Sequence, residues 1–457
     1  MKIVVLNGSP KGLQSITFQS VKYILKKFPN NEFIFHEISQ KIKKIEKNEQ
    51  YFDQIIDDIK NCDAVLWSFP VYTCFIPAQC VKFIELVNEK NRTEAFNGKF
   101  TAAISTSIHF YDHTAHSYIN AVCDDLNMKY IGFFSAEMHD LLRSSEREKL
   151  IKFGELFFSS IEKNLYRQKV FLPYSGNEFI YTPGETAKQS SVNGKKILIV
   201  TDNSTPDSNL DKMTQKFKQS IIEDVEEINL HDINTKGACL GCVQCGYDNT
   251  CVYKDDFNSF YDTKFLTSDI IIFAMELKYR LFSYKWKEFF DRRFCKNHSP
   301  EMRGKHVGVI VSGPLSQMHH MSEFLNGFLN IQLTDVADIV KDEINDSREI
   351  DRSLQNMAEN IINHADKNYF EPRNFLGVAG MKIFRDDVWG KLRFVMQADH
   401  RYYKANNIYD FPQNRIKERL TNTVIIQLTK VPFFRKKFYK MVKTEMYKPH
   451  KNIVDRC

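Results

Sequence analysis

Four cysteines, Cys239, Cys242, Cys245 and Cys251, fall in the spacing C-x2-C-x2-C-x5-C. Thiolates two residues apart in a turn can converge on one centre, and four of them satisfy the four irons of a [4Fe–4S] cube. Zinc also accepts four thiolates, although structural zinc sites usually draw two pairs from separate turns. Reduced, uncoordinated thiols are the third reading. A second group lies near the start of the chain, where Asn7-Gly8-Ser9-Pro10-Lys11-Gly12 separates the apolar run Lys2–Leu6 from a helical pattern through Phe18, Val21, Ile24 and Leu25. A strand that passes through a small polar loop into a helix presents free backbone N–H groups and the positive end of the helix dipole, which suit a phosphate. Ser9, Ser15 and Thr17 add hydroxyl donors, while Gly8 and Gly12 let the backbone come close. The plainer alternative is an ordinary strand-to-helix turn.

These residues must be held by an alternation of strands and helices. After the first strand and helix come a strand over 32–38, a helix ending near Asn61, a strand over 64–68, a helix over 78–87 and a strand over 100–105. Such alternation predicts a parallel sheet with right-handed crossovers. The polar stretch Gln189–Gly194 reads as a linker, and the plan restarts at Lys196-Ile197-Leu198-Ile199-Val200. Ile270–Phe273 corresponds to Val65–Trp67, the helix through Trp286–Asp291 to that through Val81–Glu85, and Gly304–Ile310 to Gly98–Ile104. The expected fold class is therefore α/β: two doubly wound parallel-sheet domains in tandem, over 1–165 and 195–365, with a basic, aromatic-rich helical appendage over 366–457.

Open parallel sheets bind ligands outside the carboxyl ends of their strands. There the third strand gives way to Ser68-Phe69-Pro70-Val71-Tyr72, which can offer an apolar wall and backbone donors to a heteroaromatic ring. The fourth is followed by Ser105-Thr106-Ser107-Ile108-His109-Phe110-Tyr111, whose His109 and Tyr111 can edge such a ring or guide a substrate. Tyr72 as plain loop packing is the alternative. Neither a Walker lysine nor a GxGxxG is present, which argues against a nucleoside triphosphatase or a dinucleotide Rossmann domain.

Asn7-Gly8-Ser9-Pro10-Lys11, with Pro70-Val71-Tyr72 and Pro77 ahead of Lys82-Phe83-Ile84, resembles the NAD(P)H-dependent FMN reductase and iron–sulfur flavoprotein family of flavodoxin-like folds. The resemblance covers roughly residues 1–165 and, more weakly, 195–365. It implies that Ser9, Pro10, Lys11, Ser15 and Thr17 hold the phosphate of flavin mononucleotide (FMN). It also implies that Pro70, Val71 and Tyr72 abut the isoalloxazine; Ser105, Thr106, Ser107 and His109 of the next loop complete the expected cofactor set. NAD(P)H is the implied electron donor. The cysteine segment, with Asp255 and Asp256 just after it, is similar to the compact motif of iron–sulfur flavoproteins, which implies a [4Fe–4S] cluster on Cys239, Cys242, Cys245 and Cys251.

The second unit departs from this pattern. Its opening loop, Thr201–Leu210, loses the Gly-Ser-Pro turn and sets Asp202 and Asp207 where a phosphate would lie, so like charges oppose binding there. Met275-Glu276-Leu277-Lys278-Tyr279 replaces the Pro-x-Tyr wall, and a second flavin is not expected. Members of the family pair as symmetric dimers, which implies an intrachain pseudo-dimer here: the first unit keeps the flavin, the second keeps the cysteines, and they face each other. Further oligomerisation is left open. Cys62, Cys74, Cys80 and Cys123 are scattered along strand and helix positions and read as core residues.

Composition agrees with two cores. A chain of 457 residues with 43% hydrophobic and 26% charged residues suits two domains plus an appendage and excludes a disordered or fibrous class. Lys2–Leu6 is too short for a secretory core and no stretch approaches the roughly 20 apolar residues of a membrane span, so a cytoplasmic protein is expected. From Asp366 onward 20 Lys and Arg face 9 Asp and Glu. That tail can lie on an anionic membrane surface or meet an acidic redox partner, but a solvated helical cap is the favoured reading; nucleic-acid binding has nothing else behind it. The function expected is an FMN-dependent oxidoreductase passing electrons from NAD(P)H or a reduced carrier to a small-molecule or protein acceptor. The alternative is a non-enzymatic electron-transfer or redox-sensing flavoprotein. The flavin step requires no acid or base from the protein, so no catalytic residue is assigned.

Overall fold

The computed structural model describes residues 1–456 apart from 177, 187, 188 and 297, and only the backbone of Lys443. The first domain runs β1 (Lys2–Asn7), α1 (Ile16–Lys27), β2 (Glu32–His36), α2 (Ile42–Lys47), α3 (Glu49–Lys60), β3 (Ala64–Pro70), α4 (Ala78–Glu89), β4 (Phe100–Ser107), α5 (Asp112–Asp125), β5 (Lys129–Glu137) and α6 (Ser144–Glu162). Its sheet is parallel throughout, in the order β2-β1-β3-β4-β5. Ile3, Val4, Val5 and Leu6 are all buried, because a central parallel strand is covered on both faces and carries an unbroken apolar run. Ile3 and Val5 pack with Phe18, Val21 and Ile24 of α1 and with Leu150 and Phe157 of α6.

The second domain repeats the plan with β6 (Ile197–Thr201), α7 (Asn209–Gln219), β7 (Glu226–Asn229), α8 (Asp256–Phe260), β8 (Ile270–Lys278), β9 (Leu281–Phe282), α9 (Tyr284–Arg292), β10 (His306–Ser312), α10 (His319–Ile331), β11 (Asp335–Lys341) and α11 (Ser347–Lys367). Its parallel order β7-β6-β8-β10-β11 is that of the first sheet, the 2-1-3-4-5 order of flavodoxin-like folds; β9 is an antiparallel addition to β8. The register even slips at the same place, between Thr101 and Ala102 in the first sheet and between Val307 and Gly308 in the second. Both fifth strands were missed by pattern reading. They lie at sheet edges, where half-exposed residues blur the apolar signal.

The two domains meet through matching helices, α4 on α9 and α5 on α10. Phe75, Tyr118, Phe282 and Phe324 interlock between them. Glu85 on α4 accepts the first backbone N–H of α9, from Tyr284, at 2.6 Å, and Asp291 on α9 accepts that of α4, from Ala78, at 2.8 Å. Each carboxylate thus caps the other domain's helix, satisfying a donor that has no partner within its own helix. Arg280, on the β8–β9 turn, makes a two-pronged bond to Asp125 at 2.6 and 2.7 Å. The expected linker Gln189–Gly194 is packed on the second domain: Val192 lies in its core and donates its N–H to Glu223 at 2.9 Å.

The 366–457 segment divides. Helix α12 (Phe375–Trp389) packs closely on α10, with Gly377 against Asn330 and Gly380 against Ile331, and α13 (Gln397–Ala405) follows. Arg401–Cys457 forms a separate compact unit, in which α14 (Ile416–Thr429) and α15 (Pro432–Val454) pack on each other. Among the described residues no helix is long and apolar enough to cross a membrane.

Candidate functional site

A cavity of about 440 Å³ opens at the carboxyl ends of β1, β3 and β4, within the usual size range of ligand pockets. Strand order reverses between β1 and β3, so the loops that follow them diverge and leave a crevice. Ser9, Lys11, Ser15, Ile16 and Thr17 line one end. There Ser15 makes no side-chain cap on α1, and the first backbone bond of the helix runs from Gln19 to Ser15, so the N–H groups of Ile16, Thr17 and Phe18 have no intrahelical acceptor. The Thr17 hydroxyl is buried without a partner, as is that of Thr106 further along the wall. Open helix donors, two orphaned hydroxyls and the Lys11 ammonium are the donor set that an anionic, hydrogen-bonding ligand such as FMN requires.

Val71 and Tyr72 also line the cavity, with Pro70 beside them. They form a wall but offer no donors: the Val71 N–H is engaged by Thr106 O at 3.1 Å and that of Tyr72 by Phe75 O at 2.7 Å, and Pro70 has none. This corrects the expectation of backbone donors from that loop. Three residues of the expected cofactor set stand off the cavity. Pro10 is buried and does not line it. Ser105 points into the core, 2.7 Å from Nε2 of His116, whose ring burial holds neutral by lowering its pKa to about 3. His109 is turned outward in a left-handed conformation, 52% exposed and 3.1 Å from Asp112. Tyr111 does not edge the cavity either, because its hydroxyl packs against Gly327 of α10. Thr106 and Ser107 do line it, although the Ser107 hydroxyl already accepts the His109 N–H at 2.8 Å.

The opposite wall comes from residues that sequence reading left without a role. Phe294 stacks on Tyr72 at 6.2 Å, His298 packs edge-on to Phe294 and against Phe384, and Phe394, Val395 and Met396 line the far side. His298 Nδ1 lies 2.9 Å from Asp399, whose other oxygen accepts the Ser299 hydroxyl at 3.1 Å. Leu392 and Phe394 lie in the stretch expected as a basic, aromatic-rich appendage, and nothing local in the sequence marks them as a cavity wall.

The cysteine loop forms the remaining side. Cys239, Gly241 and Val243 line the cavity, and Gln79 of α4 donates to the Cys239 carbonyl at 3.0 Å. Gly241 is needed, since it adopts φ +63° and a β-carbon there would fall 1.8 Å from the Tyr72 hydroxyl. Cys239, Cys242, Cys245 and Cys251 share a second, smaller cavity with Cys295, which the spacing did not flag. Cys239, Val243 and Phe294 line both cavities, so the two adjoin. Arg292 anchors the loop through a two-pronged bond to Asp255, both contacts at 2.8 Å, and through the Gly237 carbonyl at 3.0 Å. Among the described residues, however, no three His, Cys, Asp or Glu are grouped to hold a metal. Burial pushes the Cys245 thiol up to about 12 and the Cys239 thiol well above its ordinary value. As arranged, the thiols share a cavity without forming a preformed metal cage.

The corresponding loop of the second domain is closed to a phosphate. Ser208 accepts the Asp211 N–H at 3.1 Å and caps α7, filling the role that Ser15 leaves open on α1. Asp202 is buried at the end of β6, where burial pushes its carboxyl up to about 7.

Comparison with known proteins gives three findings. A search of curated protein sequences finds no relative. Among solved structures, the chain is similar to general stress protein 14 from Treponema denticola in complex with FMN (13% identity, 35% of this chain and 98% of that one, TM-score 0.27). It is also similar to an FMN-dependent NADH-azoreductase from Bacillus anthracis in complex with FMN (14%, 36% and 99%, 0.25) and to the NAD(P)H:(acceptor) oxidoreductase FerB from Paracoccus denitrificans (18%, 35% and 97%, 0.28). Residues 1–136, the part of the chain that supplies the open helix N-terminus and the Tyr72 wall, match the NADPH-dependent FMN reductase family.

Proposed function

We propose that this chain is an FMN-dependent oxidoreductase that takes electrons from NAD(P)H or a reduced carrier and passes them to a small-molecule or protein acceptor. The observation that carries the reading is the cavity in the β1/β3 crevice, which joins an uncapped helix N-terminus with orphaned hydroxyls to a flat aromatic wall. Ser9, Lys11, Ser15 and Thr17 would hold the phosphate; Val71, Tyr72 and Thr106 would flank the ring. When bound, FMN supplies the two-electron chemistry between nicotinamide and acceptor. The protein's share is to orient that ring, to exclude water with Phe294 and the 394–396 segment, and to leave one face for a planar acceptor.

The common strand order and the shared register slip support descent from a duplicated flavodoxin-like unit, with domains near 1–165 and 195–365 and one flavin per chain. A [4Fe–4S] cluster on Cys239, Cys242, Cys245 and Cys251 has the donor set and the shared cavity in its favour, although among the described residues the thiols as they stand are not grouped to hold a metal. Titration of the purified protein with FMN, followed by flavin fluorescence and by NADPH oxidation with a quinone, tests the main reading. Saturation at one FMN per chain with turnover is expected; no binding in excess FMN ends it. Binding without turnover would favour an electron carrier. Iron and sulfide analysis of anaerobically purified protein tests the cluster, which stoichiometric iron would support and its lack would remove.

A further inference from the structure

The helical hairpin at the end of the chain has an outer face that its own packing does not use. Between the two helices, Ile425 and Leu428 of α14 meet Phe434, Phe438, Met441 and Val442 of α15 across a groove. On the other side of α15, Phe433, Lys436, Lys440 and Tyr447 recur at intervals of three, four and seven residues, which places them along one face. Phe433 is 71% exposed and Tyr447 58%. Helices of a self-contained hairpin would turn such side chains inward; here aromatic and cationic groups alternate on the outside.

Charge identifies what this face suits. Arg401–Cys457 carries 14 Lys and Arg against 4 Asp and Glu. Among the described residues the ion pairs of the hairpin are Arg415–Glu418, Lys448–Glu445 and Lys451–Asp455, and none engages Arg435, Lys436, Lys437 or Lys440. Neither helix is apolar enough to insert across a bilayer. A helix that mixes exposed aromatics with unpaired cations has the composition of one that lies in the interfacial plane of an anionic membrane, rings among the acyl ends and ammonium groups among the phosphates.

We propose that the outer face of α15 docks this protein on an anionic phospholipid bilayer. An acidic protein partner would be drawn by the charge but gives no account of the rings set between the lysines. The inference stands apart from the flavin reading, since it uses no residue of that site.

The test is co-sedimentation of the full chain with phosphatidylcholine vesicles and with vesicles that also contain phosphatidylglycerol. Partition at least about tenfold greater onto the anionic vesicles is expected, falling severalfold when added salt shortens the screening length. The double variant Lys436→Glu/Lys440→Glu should abolish it and Phe433→Ser should weaken it, while Lys47→Glu/Lys60→Glu, with the same change in net charge elsewhere, should not. Circular dichroism confirms that each variant is folded. Equal partition onto both vesicles, none onto either, or unchanged binding by the Lys436/Lys440 variant would overturn the proposal.

Discussion

Lys287 of the second domain donates to the carbonyl oxygen of Tyr72 in the first at 2.9 Å, and the same ammonium is paired with Asp291, both side chains being fully buried. One cation thus fixes the cavity wall and steadies the carboxylate that caps α4. A buried charge of this kind is held only while every partner is present.

Replacing Lys287 with Met therefore removes the cation that Asp291 and the Tyr72 carbonyl share, while Asp291 keeps its cap bond to the Ala78 N–H. Stability should fall by about 3–5 kcal/mol, the usual effect of orphaning a buried charge. Adding Asp291→Leu should recover much of the loss, apart from the α4 cap. Urea unfolding of the single and double variants measures the coupling; additive losses would refute the linkage.

Ser15 and Ser208 occupy corresponding positions with opposite duties. Ser208→Ala should cost about 1 kcal/mol through the lost α7 cap and leave flavin affinity unchanged. Ser15→Ala removes no cap, so stability should hold while FMN affinity falls roughly tenfold, as expected for one lost hydrogen bond to a charged group. Thermal unfolding and flavin titration of both variants separate the two effects.

Asp202 gives a pH signature. An exposed aspartate titrates near about 3.9, whereas burial raises this one to about 7, so the folded protein binds the proton more tightly than the unfolded chain. The stability tied to this group is fully present below about pH 4 and is lost as pH rises toward 7, with a slope of at most about 1.4 kcal/mol per pH unit. Asp202→Asn keeps an acceptor for the Glu276 N–H, and should flatten that slope and raise stability at pH 8. Unfolding midpoints across pH 4–8 decide it.

The cysteine loop should react in a set order. Cys242 is exposed, whereas Cys239 is only partly exposed and burial pushes its thiol well above the ordinary value. Alkylation followed by peptide mass mapping should label Cys242 first and Cys239 last, with FMN slowing Cys239 further, since that residue lines both cavities. Early labelling of Cys239 would contradict the arrangement.

Much of the fold is written locally. The apolar runs at Ile3–Leu6 and Ile270–Phe273 are buried on both faces and leave an unbroken signal, and the loop from Ser9 to Thr17 is legible because a strand, a turn and a helix follow one another in sequence. Edge strands such as Lys129–Glu137 have no such signal, being half exposed. Nor does sequence reveal whether a loop N–H is free: that of Val71 is engaged by Thr106, 35 residues away in the chain.

From its sequence alone, this protein is determined to have two parallel sheets in series, a phosphate-type loop in the first and four clustered cysteines in the second, because each depends on residues within a few positions of one another. Only tertiary structure decided that Ser105 and His109 turn away from the cavity and that Phe294, His298 and Phe394–Met396 close it. Those side chains are brought to Tyr72 from more than 200 residues downstream by the packing of α9 on α4 and α12 on α10, and packing over such separations leaves no periodic trace in the chain.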